Sequence, residues 1–438
     1  MGGGAGTVSR GARRARTARL GVRAGARLRL RLGVRAGVAA LVLAALATGC
    51  TEGAPGPGPG PVPAPSTAPL PVPPRPTDVD GPVRIPSAPE LPGWAHDVDL
   101  AADGSGFALL TACVTDEAAG ASPGSGFCRQ PVVALDRGAT AWAPRRSPLP
   151  ERPPNGGVSA GLVSLGPGRA LIEDGGGDTP ELTWFTENGG RTWRTVDRRA
   201  IGTAPTVPTD AALVVECVSP AGAAPDNCAR ERVVLISPAD GRRRALAHQP
   251  ALGPHPRPAR GREPDGSWWV TGTDPASGRP AVAYSRDDGR SWTVRALPSR
   301  SRTARGLAVV VGPDAVYAAE TGELDGGEPE LNGLLALYRS TDGGRSWTLV
   351  RATGPTGEPR SLSGLPVPGP GGRLRLYGSR GGYESTDGGR TFRPTGEGTR
   401  WVRRTAAGLL REGGQCQWAT TRDGVNWSEF QLACEDSP

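Results

Sequence analysis

Along most of this chain the apolar residues come in short groups, and polar, glycine-rich turns separate them. Phe107–Ala112, Ala170–Ile172, Leu213–Glu216, Trp268–Thr271, Ala315–Ala318, Leu374–Tyr377 and Ala407–Leu410 are the clearest of these groups. Runs this short, bounded by turn residues, predict strands rather than core helices. One stretch differs. Residues 36–49, AGVAALVLAALATG, are apolar and small throughout.

The turns are themselves repeated. Four segments align without gaps: Thr186-Glu-Asn-Gly-Gly-Arg-Thr-Trp193, Ser285-Arg-Asp-Asp-Gly-Arg-Ser-Trp292, Ser340-Thr-Asp-Gly-Gly-Arg-Ser-Trp347 and Ser385-Thr-Asp-Gly-Gly-Arg-Thr-Phe392. A fifth, Thr420-Thr-Arg-Asp-Gly-Val-Asn-Trp427, is degenerate, with its Asp displaced by one place. A carboxylate at Asp287, Asp342 or Asp387 can accept backbone N–H groups inside a tight turn. Asn188 replaces it in the first copy. Glycine supplies positive φ, and Trp193, Trp292, Trp347, Phe392 or Trp427 covers the turn. Each segment therefore predicts a hairpin between two strands. A second aromatic precedes the last by nine residues in four copies (Trp184, Tyr338, Tyr383, Trp418) and by eight in the other (Tyr284). Its recurrence marks it as packing.

Two weaker turns, Leu135-Asp-Arg-Gly138 with Trp142 and Ser237-Pro-Ala-Asp-Gly-Arg-Arg243, fill the gaps. From Trp142 through Trp193, Arg243, Trp292, Trp347 and Phe392 to Trp427 the steps are 51, 50, 49, 55, 45 and 35 residues. A four-stranded propeller blade has that length. The turns resemble the Asp-box (BNR) repeat, Ser/Thr-x-Asp-x-Gly-x-Ser/Thr-Trp, of sialidase-like β-propellers. The resemblance implies an all-β, seven-bladed β-propeller over residues 81–438, with the first inner strand near Trp94–Leu100 and a seam where the chain ends meet. Counts of six or eight stay open at the ends. It also implies that the boxes are structural turns at the periphery, away from a central site.

Six cysteines follow residue 50, and six allow fifteen connectivities. Blade placement gives three local pairs, Cys113–Cys128, Cys217–Cys228 and Cys416–Cys434, all toward the face opposite the boxes. Disulfides imply an oxidising compartment. With no CxxC and only His96, His248 and His255, no metal is expected, nor any other cofactor.

The N-terminus agrees with export. An Arg-rich start, the apolar run and small residues before Cys50 make a secretory signal too short to span a bilayer comfortably. Leu46-Ala-Thr-Gly-Cys50 resembles a bacterial lipobox. That resemblance implies cleavage of residues 1–49, lipidation of Cys50 and a membrane-anchored exterior location; ordinary secretion is the alternative. Residues 50–80 are a linker. Eleven prolines in residues 51–80 predict extended polyproline II at roughly 3.1 Å per residue. The formal charge of +8 is misleading, because ten arginines and no acid precede Cys50. The remainder has 41 arginines against 43 acids, with no basic field for nucleic acid. Arginine without lysine, beside abundant Ala, Gly and Pro, points to a high-GC, actinobacterial source.

Candidate chemistry is sparse. Gly157-Val-Ser159-Ala-Gly161 matches the esterase elbow, but that motif needs a strand–turn–helix context. Arg84-Ile-Pro86 resembles the segment whose Arg grips the substrate carboxylate in sialidases, which makes Arg84 a weak catalytic candidate. Sialidases also need an Asp, a Tyr and a Glu, and only Tyr317 and Tyr377 lie outside the repeat. Two loops are acidic, one with Glu173, Asp174, Asp178 and Glu181, the other with Glu320, Glu323, Asp325, Glu328 and Glu330. They read as solvated loops or as a site for a cation or basic partner. The expectation is a monomeric, surface-tethered, non-catalytic propeller that binds a protein or glycan at the cell envelope. The alternative is a sialidase-like exo-glycoside hydrolase.

Overall fold

Seven sheets follow one another along the chain and make a seven-bladed β-propeller. The computed structural model describes residues 81–115, 126–153, 160–175, 182–218, 228, 230–299, 304–324, 332–353, 357–414 and 416–434. The signal segment, Cys50, the linker, Gly157, Ser159, Asp178, Glu181, Asp325, Glu328 and Glu330 lie outside them. From the inner edge outward, blade 1 is Trp94–Leu100, Gly106–Thr115, Val132–Leu135 and Ala143–Arg145; blade 2 is Gly161–Ser164, Ala170–Glu173, Thr183–Thr186 and Arg194–Thr195. Blade 4 is Arg257–Pro258, Trp268–Thr273, Pro280–Ser285 and Thr293–Ala296; blade 5 is Ala304–Val311, Val316–Gly322, Gly333–Ser340 and Thr348–Ala352. Blade 6 is Val367–Pro368, Leu374–Gly378, Gly381–Ser385 and Arg393–Pro394; blade 7 is Trp401–Thr405, Gly408–Glu412, Gln417–Thr421 and Ser428–Gln431.

Two blades depart from a uniform four-strand plan. In blade 1, Gly126–Arg129 adds to the far end of the second strand, with Cys113 opposite Cys128. In blade 3 the strands Ala212–Cys217, Glu231–Ile236 and Arg243–Leu246 are present, but among the described residues no inner strand precedes them. The connecting segment pairs Thr203–Ala204 in parallel with the outer strand instead. Val207 then donates its N–H to Asp288 of blade 4 at 2.8 Å before the chain turns into Ala212.

The repeated turns join the third and fourth strands, and their chemistry is the same each time. In blade 5, Ser340 Oγ accepts the Gly344 N–H at 2.8 Å. Asp342 accepts the Ser346 N–H at 2.9 Å and the Ser346 hydroxyl at 2.6 Å. Burial opposes ionisation there, but these donors outweigh it and hold Asp342 and Asp387 well below the usual carboxylate range. Gly344 has φ 91°, and a Cβ on it would lie 2.5 Å from the Trp269 ring of blade 4, so the turn doubles as a contact between blades. Trp347 meets the same ring edge-on at 6.3 Å. Asn188 serves in blade 2 because its amide oxygen accepts the Thr192 N–H at 3.0 Å. In blade 7 the turn is one residue shorter than the others. There Thr421, not Thr420, supplies the hydroxyl, accepting Gly424 N–H at 3.0 Å, and Asp423 accepts Asn426 N–H at 2.8 Å.

The core is divided among the gaps between blades. Val98, Leu100, Ala108 and Leu110 of blade 1 pack on Leu410, Trp418 and Phe430 of blade 7. Trp268 and Val270 of blade 4 pack on Leu213, Val233 and Leu235 of blade 3. The recurring aromatics Trp184, Tyr284, Tyr338, Tyr383 and Trp418 are all buried. In an antiparallel meander the first and third hairpins share one face. The repeat turns therefore sit with the inner hairpins, and the three disulfides, Cys113–Cys128, Cys217–Cys228 and Cys416–Cys434, sit on the opposite face. The seam lies between blades 7 and 1. Ala88 pairs in parallel with Leu432, and Trp94 pairs with Cys434.

Candidate functional site

The inner strands carry charge where they meet the axis. Trp94–Leu100 alternates so that Asp97 and Asp99 project on one side. Asp97 Oδ2 accepts the Leu162 N–H of blade 2 at 2.8 Å, and Asp99 Oδ2 accepts the Ser164 N–H at 2.9 Å. Two carboxylates thus cap the free edge of the neighbouring inner strand. Arg403 of blade 7 pairs with Asp97 and donates to the Val98 carbonyl. Beside it, Arg404 Nη2 meets Glu263 Oε2 of blade 4 at 2.6 Å, with both side chains buried. Glu263 also accepts the Val311 N–H of blade 5 at 3.0 Å. Arg260 compensates for the missing strand of blade 3. Its carbonyl accepts the Leu213 N–H at 3.3 Å, and its guanidinium donates to the Leu162 carbonyl at 3.4 Å. Blades 1, 2, 3, 4, 5 and 7 are joined through these six residues, blade 3 by the Arg260 backbone carbonyl.

Burial sets the proton affinities. It pushes Asp99 up to about 6 against the pull of Arg403, the Ser164 N–H and Arg260. It also raises Glu263 against Arg404, and Glu412 against Arg403, and lowers His96. Asp99 therefore binds its proton more tightly folded than unfolded. Its stabilising contribution is full below about pH 4 and is lost as pH rises through about 6. We expect carboxyl NMR to follow Asp99 titrating near pH 6. The slope of stability between pH 4 and 6 should flatten in Asp99→Asn; an unchanged slope would assign it to another group.

Chemically the axis is a pin. Its charges are spent on one another and on strand-edge N–H and C=O groups. Arg84 is exposed, with Val83 packed against Gly104 and accepting from Thr420 Oγ1 at 3.1 Å. The arginines of the axis are Arg260, Arg403 and Arg404. Tyr–Glu pairs do occur: Tyr338 donates to Glu320 at 2.7 Å, Tyr383 to Glu358 at 3.0 Å, and Tyr377 to Glu397 at 2.6 Å with Arg411 at 2.9 Å. Tyr377 is fully buried between blades 6 and 7, beside the partly buried Arg411, and burial raises its pKa. Three acids of the supposed loops are structural. Asp174 is buried against Arg152 at 2.5 Å, Glu173 pairs with Arg243, and Glu320 is fully buried between Ser299 and Tyr338.

The mouth on the disulfide face is different. Of the large apolar side chains exposed among the described residues, Trp94, Val114, Leu182, Val218 and Trp401 lie on this face, and only Ile201 and Leu349 lie elsewhere. Trp94 (37% exposed) and Trp401 (48%) begin adjacent inner strands. Sequence reasoning overlooked both the axis and this pair. Acids alternating with Val98 and Leu100 on the first inner strand were the available signal for the axis.

No protein-family model and no curated protein matches the sequence. Among solved structures, YCF48 bound to D1 peptide is similar at 16% identity and a TM-score of 0.34, covering 68% of this chain and 91% of that one. A GH74 enzyme of Niastella koreensis is similar at 16% identity and 0.24, covering 76% and 54%. A puromycin hydrolase S511A mutant complexed with PGG is similar at 14% and 0.39, covering 75% and 50%. The chain spans about half the length of the latter two. The seven consecutive sheets by themselves make the protein a seven-bladed β-propeller.

Proposed function

We propose that the protein is a non-catalytic binding propeller of the cell envelope, anchored through Cys50 and the proline-rich linker, that holds a protein or glycan ligand at the mouth of the disulfide face. The observation that carries this reading is the exposure of Trp94 and Trp401 at the starts of the inner strands of adjacent blades, with Val114, Leu182 and Val218 on the same face. Large rigid aromatics are the usual anchors of binding surfaces. The Cys113–Cys128 and Cys416–Cys434 bridges belong to the same two blades as these aromatics. The first described residues reach the propeller at the other face, where Val83 meets Gly104 and Thr420.

Trp94→Ala and Trp401→Ala should each weaken capture of envelope ligand by about thirtyfold, the effect of a typical aromatic anchor. Leu349→Ala, on the outer strand of blade 5, should change nothing. Affinity measured on the chain immobilised through its N-terminus tests this, and equal capture by all three variants would sink the reading. Turnover of a fluorogenic sialoside that disappears in Arg84→Ala would replace it with the glycosidase.

A further inference from the structure

Blade 3 is the one blade whose second strand, Ala212–Cys217, has no inner strand beside it among the described residues. We propose that this uncovered edge binds an extended segment of a partner protein, which adds as the missing strand. The argument begins with Val215. Its cross-strand partner is Val233, whose N–H and C=O turn outward and bond the Gln249 side chain at 2.9 and 2.8 Å. In an antiparallel ladder such a pair turns its main-chain groups away from each other, so the Val215 N–H and C=O point inward, to the uncovered side. Leu213, two residues before, points the same way, and its N–H finds the Arg260 carbonyl at 3.3 Å. Among the described residues nothing serves Val215 in this manner.

Exposure follows the gap. The second strands of blades 1, 4 and 5 stay buried over at least their first four residues, but Ala212–Cys217 only over its first two. The walls are apolar. Val163 of blade 2 is opposite Leu171, which packs with Ala212, and Pro258 of blade 4 is opposite Val270, which packs with Leu213. Both therefore face blade 3, and like Val214 and Val215 they are half-buried. One cation stands here. Arg260 is exposed, reaches the Leu162 carbonyl at 3.4 Å and has no ion-pair partner among the described residues. The nearby acids of blade 3 are already matched, Glu216 by Arg232 at 2.7 Å and Glu231 by His255 at 3.0 Å. Asp99 feels the Arg260 charge, but its carboxylate is spent on the Ser164 N–H at 2.9 Å. A free main-chain donor and acceptor call for a peptide backbone. The valines and Pro258 call for apolar residues in it, and Arg260 for an acid. The edge opens toward the disulfide face, but the inference rests on blade 3 and not on the aromatics of the mouth.

The chain's own first inner strand, Trp94–Leu100, alternates acidic and apolar residues from Asp97 to Leu100. A blocked synthetic peptide of that sequence, Trp-Ala-His-Asp-Val-Asp-Leu, is therefore the probe. Added to the full chain, it should shift the Val215 amide in backbone NMR spectra. Single N-methylation along the peptide should weaken binding about tenfold at alternate positions, the cost of one or two lost hydrogen bonds, and leave the intervening positions unaffected. Arg260→Gln should weaken binding about threefold, within the reach of an exposed ion pair, and should not change binding of a peptide with Asn at both acidic positions. Trp94→Ala and Trp401→Ala should leave it unchanged, so failure here and failure at the mouth are read separately. The proposal falls if the peptide leaves the Val215 amide unmoved, if N-methylation shows no two-residue period, or if a peptide of the basic inner strand Trp401–Thr405 binds more tightly.

Discussion

Arg404→Ala should destabilise the propeller by about 3–5 kcal/mol, the usual result of stripping one partner from a buried ion pair. Arg404 and Glu263 are 7% and 1% exposed as side chains and meet at 2.6 Å. Burial already drives Glu263 toward its protonated form, and Arg404 is the chief group resisting it. Without the guanidinium the carboxylate must either remain charged in a dry site or take up a proton. The second route is cheaper, so the variant's folded Glu263 should titrate higher still. Stability gained by a raised carboxyl is present at low pH and lost as pH rises through the folded value. The deficit of Arg404→Ala should therefore be smaller at pH 5 than at pH 8. Glu263→Gln in the same background should recover most of it, because the amide oxygen can still accept the Val311 N–H that Glu263 now accepts at 3.0 Å. Urea midpoints at the two pH values check both statements. A loss below about 1 kcal/mol, in the range of an exposed pair, would mean that the axis does not pin the blades.

Most of the fold was legible in the sequence, and the reason is local. A repeat turn is specified within eight residues, as Ser340 to Trp347 illustrates, so alignment finds it without knowledge of the rest. The seven second strands and the local cysteine pairs follow from the same short-range pattern. Asn188 was visible as a departure but not as a working substitute, which needed the contact to Thr192. What escaped is non-local. The pairing of Thr203–Ala204 with the outer strand of blade 3 involves two residues, too few to carry a period. The three axial arginines could not be singled out by type alone among the 41 that follow Cys50. Asp174 and Glu320 looked like surface acids because charge predicts exposure unless a partner intervenes. Their partners, Arg152 and Tyr338, lie 22 and 18 residues away in sequence.

Loss of the Cys416–Cys434 bridge should cost the most of the three disulfides, about 2–5 kcal/mol. Loop length hardly distinguishes them. The separations are 15, 11 and 18 residues, and closure entropy grows only with the logarithm of length. What differs is the structure held. Cys113–Cys128 and Cys217–Cys228 each close a loop within one blade. Cys434, in contrast, donates its N–H to Pro89 at 2.9 Å and faces Trp94 across a bridge, while Ala433 donates to Ala88 at 3.0 Å and Ala88 to Gln431 at 2.8 Å. The third disulfide thus ties the last hairpin to the residues through which the N-terminal segment closes the ring. In Cys416→Ala/Cys434→Ala, amide exchange should accelerate together in Ser428–Gln431, at Ala88 and in Trp94–Leu100, because opening the seam exposes both of its sides. In Cys217→Ala/Cys228→Ala the acceleration should stay within blade 3. If the blade 3 variant has the lower unfolding midpoint, or if exchange in Trp94–Leu100 is unaffected by loss of the third bridge, the seam is held by blade packing across Leu410, Trp418 and Phe430 rather than by the disulfide.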